Sequence, residues 1–174
     1  VEREYHDREW GVELHDDLKL FEFLILDTFQ AGLSWSTILS KRDNFRKAFD
    51  NFDPVTISSY TEEKLEALMQ DAGIIRNRMK IHGAVKNAKA YLAVAEEFGS
   101  FDRYIWSFVD GKRIVRDVEG PKDWQATSPE SDAMSKDMKK RGFSFCGSTI
   151  CYAFMQAAGL IDDHFNSCSR KMRD

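Results

Sequence analysis

Residues 20–35 read "LFEFLILDTFQAGLSW", and the first ten of them are almost all apolar. At ~100° per residue, Leu20, Leu24, Asp27 and Ala31 fall on one stripe, and no period-two alternation competes. The spacing predicts a helix from about Asp17 to Ala31, broken at Gly32. Asp27 therefore points where its apolar neighbours point. An isolated buried carboxylate is costly. Asp27 must be answered by Arg or backbone amides in a structural role, solvated at a cleft, or required by chemistry. Trp35 lies just past the Gly break, where a turn can fold an indole and a carboxylate around one cavity.

The same period recurs outward along the chain. Ser34 caps a second helix over "WSTILSKRDNFRKAF", which ends before Asp53-Pro54. Thr61 opens a third that continues to about Ala72, and a long one follows from about Arg78 to Phe98. A shorter helix covers "FDRYIWSFV"; the stretch from Gly111 to Ser131 is irregular, with Gly120-Pro121 and Ser128-Pro129. Ser131 starts a helix through Lys140, "CGSTICYAFMQAAG" is the last clear one, and the tail after Asp162 has no core pattern. There is no repeat, low-complexity tract or linker, so the fold class is all-α in one domain spanning 1–174.

Bulk properties fit that reading. A chain of 174 residues can bury a sizeable core, and 13% aromatic content leaves rings over for a pocket. The net charge of −4 carries no footprint of a nucleic-acid binder, although local patches rather than totals meet phosphates. Cys146, Cys151 and Cys168 are too few and too irregular for a disulfide framework, which indicates a reducing, cytoplasmic setting. No stretch approaches the ~18 apolar residues of a membrane span, and monomer is the default state.

Three constellations carry chemistry. "YHDREWG" at 5–11 gathers Tyr5, His6 and Trp10, and "HFNSC" sets His164 and Cys168 four apart. His6, His164 and Cys168 form a nitrogen–sulfur set that zinc prefers, drawn from opposite ends of the chain. "ALMQDAGIIRNRMKIHGAVKNA", 67–88, reads as helix, short turn, helix, with Gly73 supplying backbone freedom and Arg76, Arg78 and Lys80 following it. Such a hairpin can aim amides and cations at a phosphate; the alternative is an αα corner with a solvated basic face.

Taken together, "YHDREWGV", "FQAGLSW", "FDPV", "DAGIIRNRMKI", "WSFV", "KKRGFSFCGSTICYAFMQAAGL" and "DDH…C" resemble, in order, the 3-methyladenine DNA glycosylase I family. The resemblance implies a helix-hairpin-helix glycosylase fold of two helical lobes with the lesion pocket between them. A middle lobe of about 53–110 would carry the hairpin, and the N- and C-terminal segments would form the other. The implied activity is monofunctional hydrolysis of the N-glycosidic bond of 3-methyladenine in alkylated double-stranded DNA, releasing free base and leaving an abasic site. Asp27 would be the catalytic carboxylate and base contact. Tyr5, Trp10 and Trp35 would wall the pocket, with the flipped base stacked on Trp35. Gly32 and Leu33 would contact the DNA, with Leu33, on the Gly32 break, as the wedge that fills the vacated stack, and Gly73, Arg76, Arg78 and Lys80 would anchor the DNA.

His6, His164 and Cys168 match three of the family's four ligands to a structural zinc. The fourth, a Cys, is expected upstream of Val1, with Glu4 as a weaker substitute. The family's base-contacting acid is typically Glu, so Asp27 is one methylene shorter, which bears on base preference and rate. A non-catalytic, lesion-recognising DNA-binding module is the competing reading, and release of free base separates the two.

Overall fold

The computed structural model describes residues 1–171, so the last three residues of the single-domain reading lie outside the described residues. Nine α-helices dominate the described chain. They are α1 (Glu2–Arg8), α2 (Asp17–Gln30), α3 (Trp35–Ala48), α4 (Pro54–Ser58), α5 (Glu62–Met69), α6 (Arg78–Phe98), α7 (Phe101–Trp106), α8 (Pro129–Lys140) and α9 (Ser148–Ala157). The fold is all-α, as the periodicity predicts. The departure is small: Ile114–Val115 (β1) and Ile161–Asp162 (β2) pair in parallel, Ile114 opposite Ile161 and Val115 opposite Asp162.

Helix starts follow local side-chain chemistry. Asp16, Ser34, Thr61, Asn77 and Ser128 each accept a hydrogen bond from a backbone amide in the first turn of α2, α3, α5, α6 and α8. The α8 start is one correction: its cap is Ser128 with Pro129 inside the first turn, earlier than the expected Ser131. Ser131 instead closes the reciprocal pair with Ser128. A second is α5, which ends at Met69 rather than Ala72.

α2 is the axis of the molecule. Leu20, Phe21, Phe23, Leu24, Ile25, Leu26 and Phe29 are all buried, so most of its length is withdrawn from water. A helix apolar all round belongs inside others. α3, α6, α7 and α9 pack on it, and α6 carries α4, α5 and α7 on its remaining faces. Phe45, Phe49 and Phe52 extend the core outward from Phe29. The tail after Asp162 is far from loose: Asp162 and Asp163 are fully buried and His164 nearly so. No described helix is long and apolar enough to cross a membrane.

Candidate active site and metal centre

Of the three carboxylates on α2, Asp17, Glu22 and Asp27, the last lies in its buried stretch. Asp27 is 3% exposed, forms no ion pair, and its Oδ2 has no hydrogen-bond partner among the described residues. Burial alone pushes its carboxyl well above the usual carboxylate range. Among the described residues, no Arg or amide answers it as a structural carboxylate would require. A cleft of about 250 Å³ lies beside it instead.

Aromatic rings and one wall of α9 build that cleft. Tyr5, Trp10, Gln30 and Trp35 line it together with Asp27. Ala153, Gln156 and Ala157 close it from α9, which packs on α2. The rings of Tyr5 and Trp35 stand 5.5 Å apart at 52°. Tyr5 Oη and Trp35 Nε1 are, like Asp27 Oδ2, buried without a partner. Burial, reinforced by Asp27 and Glu9, raises the Tyr5 phenol pKa, so Tyr5 stays a neutral hydroxyl. Arg42, held by Glu9 through two 2.8 Å hydrogen bonds, sits 6.0 Å from the centre of the Tyr5 ring. Three residues of one cleft that each carry an unpartnered buried polar atom are the mark of a ligand site, since buried polar groups are ordinarily paired.

Gly32 and Leu33 lie in the turn between Gln30 and Trp35, both of which line the cleft. Gly32 has φ +82° with open space where a Cβ would lie, so it is the left-handed turn rather than crowding that suits glycine. The turn is closed by Leu33 N–H donating to Gln30 O (2.7 Å) and Gln30 Nε2 donating to Leu33 O (3.1 Å). It holds Leu33 37% exposed on the surface.

The hairpin needs two corrections. Gly73 is not in the left-handed region; a Cβ there would come within 3.0–3.1 Å of Asp71 and Asn44, so close approach rather than freedom calls for glycine. Lys80 is not a surface cation. It is buried, and its Nζ donates to Phe29 O (2.9 Å) and Ala31 O (2.6 Å) at the end of α2. There it answers carbonyls that the helix leaves unpaired. Burial lowers its pKa. Arg76 and Arg78 are exposed, Arg78 in an ion pair with Glu66. Beside them a separate cleft of about 340 Å³ is lined by Arg78, His82 and Lys86 with Phe145. Lacking any carboxylate or indole, it offers a basic face rather than a base cage.

The three metal-ligating candidates do meet. The ligand atoms of His6, His164 and Cys168 lie within 4.8 Å of one another. His164 Nδ1 donates to Asp162 Oδ1 at 2.8 Å, and His6 Nδ1 donates to Asp7 Oδ1 at 3.0 Å. Each carboxylate fixes its ring so that Nε2 is the nitrogen left to coordinate a metal, an arrangement usual around a ligated histidine. His164 Nε2 is buried and unpartnered, and Cys168 Sγ lies 3.9 Å from His6 Nε2. The residues fit a zinc ion. Trp10 joins this centre to the cleft, its ring 4.7 Å from His164 at 80° and 6.0 Å from His6.

A family model described as methyladenine glycosylase matches residues 1–171. The chain belongs to the methyladenine glycosylase family. Its relatives within that family include a DNA-3-methyladenine glycosylase of Haemophilus influenzae, 50% identical over 97% of this chain and 91% of that protein. DNA-3-methyladenine glycosylase 1 of Escherichia coli is 49% identical over 94% of this chain and 88% of its own. The fold matches a crystal structure of a 3-methyladenine DNA glycosylase I variant in complex with 3-methyladenine, with a TM-score of 0.96. That pair shares 35% identity over 98% of this chain and 92% of the other. For this methyladenine glycosylase family member, reading the sequence left out the α9 wall. "AFMQAAG" shows a helix, but nothing in its period says that Ala153, Gln156 and Ala157 face a cleft rather than core.

Proposed function

We propose that the protein is a monofunctional DNA glycosylase that hydrolyses the N-glycosidic bond of 3-methyladenine in alkylated double-stranded DNA. The products are free 3-methyladenine and an abasic site. The observation that carries this reading is the unpaired, buried Asp27 sharing a cleft with Trp35 and Tyr5. A fixed carboxyl with no cation of its own is suited to a ligand that brings one.

Flipping the nucleotide costs a few kcal/mol, less where the base is damaged. Leu33 on the Gly32 turn would occupy the vacated stack. The extruded N3-methylated base is cationic, and the Trp35 face would attract it by ~2 kcal/mol once desolvated. Its charge draws Asp27 into the ionised form, and Asp27 then accepts hydrogen bonds from the base edge. Tyr5 and Trp10 complete the walls. Methylation already makes the base a good leaving group, so selection and admission of water to an oxocarbenium-like sugar suffice. The segment after the hairpin, "KNAKAYL", holds no acid, and no lysine faces the cleft as a nucleophile. Arg76, Arg78 and the Gly73 turn would anchor the backbone in a middle lobe of about 53–110. Lys80 would support the wedge turn from behind. Zinc held by His6, His164 and Cys168 would be structural, keeping the first helix and Trp10 against the tail. The free thiols of Cys146, Cys151 and Cys168 agree with a reducing, cytoplasmic setting, and a monomer suffices for the site.

Chromatography of bases released from methylated duplex DNA tests the reading. Free 3-methyladenine appearing with abasic sites supports it; lesion binding without release would leave a recognition module instead.

A further inference from the structure

The α9 wall of the cleft is chemically uneven. Ala153, Gln156 and Ala157 share one helical face and line the cleft opposite Asp27's helix. The alanines offer methyl groups, so the Gln156 amide is the one hydrogen-bonding side chain that this face supplies.

That amide is oriented. Gln156 Nε2 donates to Asp163 Oδ2 at 2.8 Å. Asp163 is fully buried, and it also accepts from the Tyr152 hydroxyl and from Arg116 at 2.7 Å. A carboxylate only accepts, so turning the amide over would set its carbonyl against Asp163 oxygen. The carbonyl Oε1 is thereby the end left for the cleft.

We propose that Gln156 is a specificity-determining residue, whose carbonyl, locked by Asp163, joins Asp27 as an acceptor for the exocyclic amine of a 6-aminopurine. Asp163 is its positioning residue. The inference rests on the glycosylase reading and extends it. An amine has protons for acceptors, whereas a 6-oxo group set against buried acceptors has none, and the site's polar groups go unpaired. The cleft thus favours N3-alkylated adenine over N3-alkylated guanine on hydrogen bonds as well as shape.

Gln156→Met keeps the side-chain length and removes the carbonyl. The test compares release of the N3-methylated adenine and guanine bases from one methylated DNA sample. The adenine-to-guanine ratio falls roughly tenfold in Gln156→Met, the worth of a hydrogen bond to a charged partner. Gln156→Glu retains the preference, because its protonated carboxyl can donate to Asp163 and keep a carbonyl toward the cleft. An unchanged ratio in Gln156→Met, with release intact, overturns the assignment while sparing the glycosylase reading. Wild-type protein that releases neither base overturns both.

Discussion

Asp27 costs the folded protein something that only a ligand returns. Its pKa is raised by burial, so the folded state holds a proton that the unfolded chain gives up above about pH 3.9. Folding stability from this group therefore falls as pH rises, by up to about 1.4 kcal/mol per pH unit between the unfolded and folded values. Asp27→Asn removes that slope; urea unfolding from pH 4 to 8 reads it, and parallel curves for the two proteins would contradict the account. The same variant loses affinity for the cationic base more than it loses stability. Trp35→Ala weakens free 3-methyladenine binding by about 2 kcal/mol, roughly thirtyfold, with the fold intact by circular dichroism. Equal affinity in the variant and wild type would remove the stacking role. Both residues were legible in the sequence because a carboxylate on an apolar stripe has few explanations. Gln156 was not, because a polar residue on a helix face reads equally well as solvent-facing.

At the scale of elements, α6 shows where periodicity succeeds and where it stops. Its bounds, Arg78–Phe98, are those the apolar spacing predicts, and its glycine stop at Gly99 lies in the left-handed region. The direction of Lys80 follows from none of this. It depends on the end of α2 lying within reach of α6, a tertiary fact. Lys80→Met leaves the Phe29 and Ala31 carbonyls without their donor and costs about 2 kcal/mol of stability. Because Lys80 meets no phosphate, the dependence of DNA affinity on salt keeps its slope; a slope reduced by about one would restore Lys80 to the DNA surface. α1 escaped the sequence reading for a different reason. "EREYHDR" holds a single buried residue, Tyr5, so it carries no apolar period at all. Its helix matters nonetheless, since it presents Tyr5 to the cleft and His6 to the cluster with His164 and Cys168.

Across the whole molecule, the two ends of the chain converge on the cleft. α1 brings His6, the tail brings His164 and Cys168, and Trp10 lies between the histidines and the base pocket. Metal binding would thus hold a pocket wall without touching the reaction. Chelation lowers the wild-type melting temperature, and His164→Ala lowers both that temperature and zinc content, read by thermal scan and elemental analysis. Asp162→Asn, which loosens the His164 ring, weakens zinc roughly 10–100-fold. A chelator that leaves the melting curve unmoved would argue against the staple. The clustering of His6, His164 and Cys168 was legible from the sequence; the carboxylates Asp7 and Asp162 that hold the two imidazoles were not, because each is one ordinary acid among 29.

The central claim is that an alkylated purine lies between a buried carboxyl and an indole plane. A crystal of this protein soaked with 3-methyladenine tests it most directly. The purine ring should stack on Trp35 with an edge nitrogen within about 3.2 Å of Asp27 Oδ2, hydrogen-bonding distance. A cleft without density, or a base seated instead against Arg78, His82 and Phe145, would contradict it.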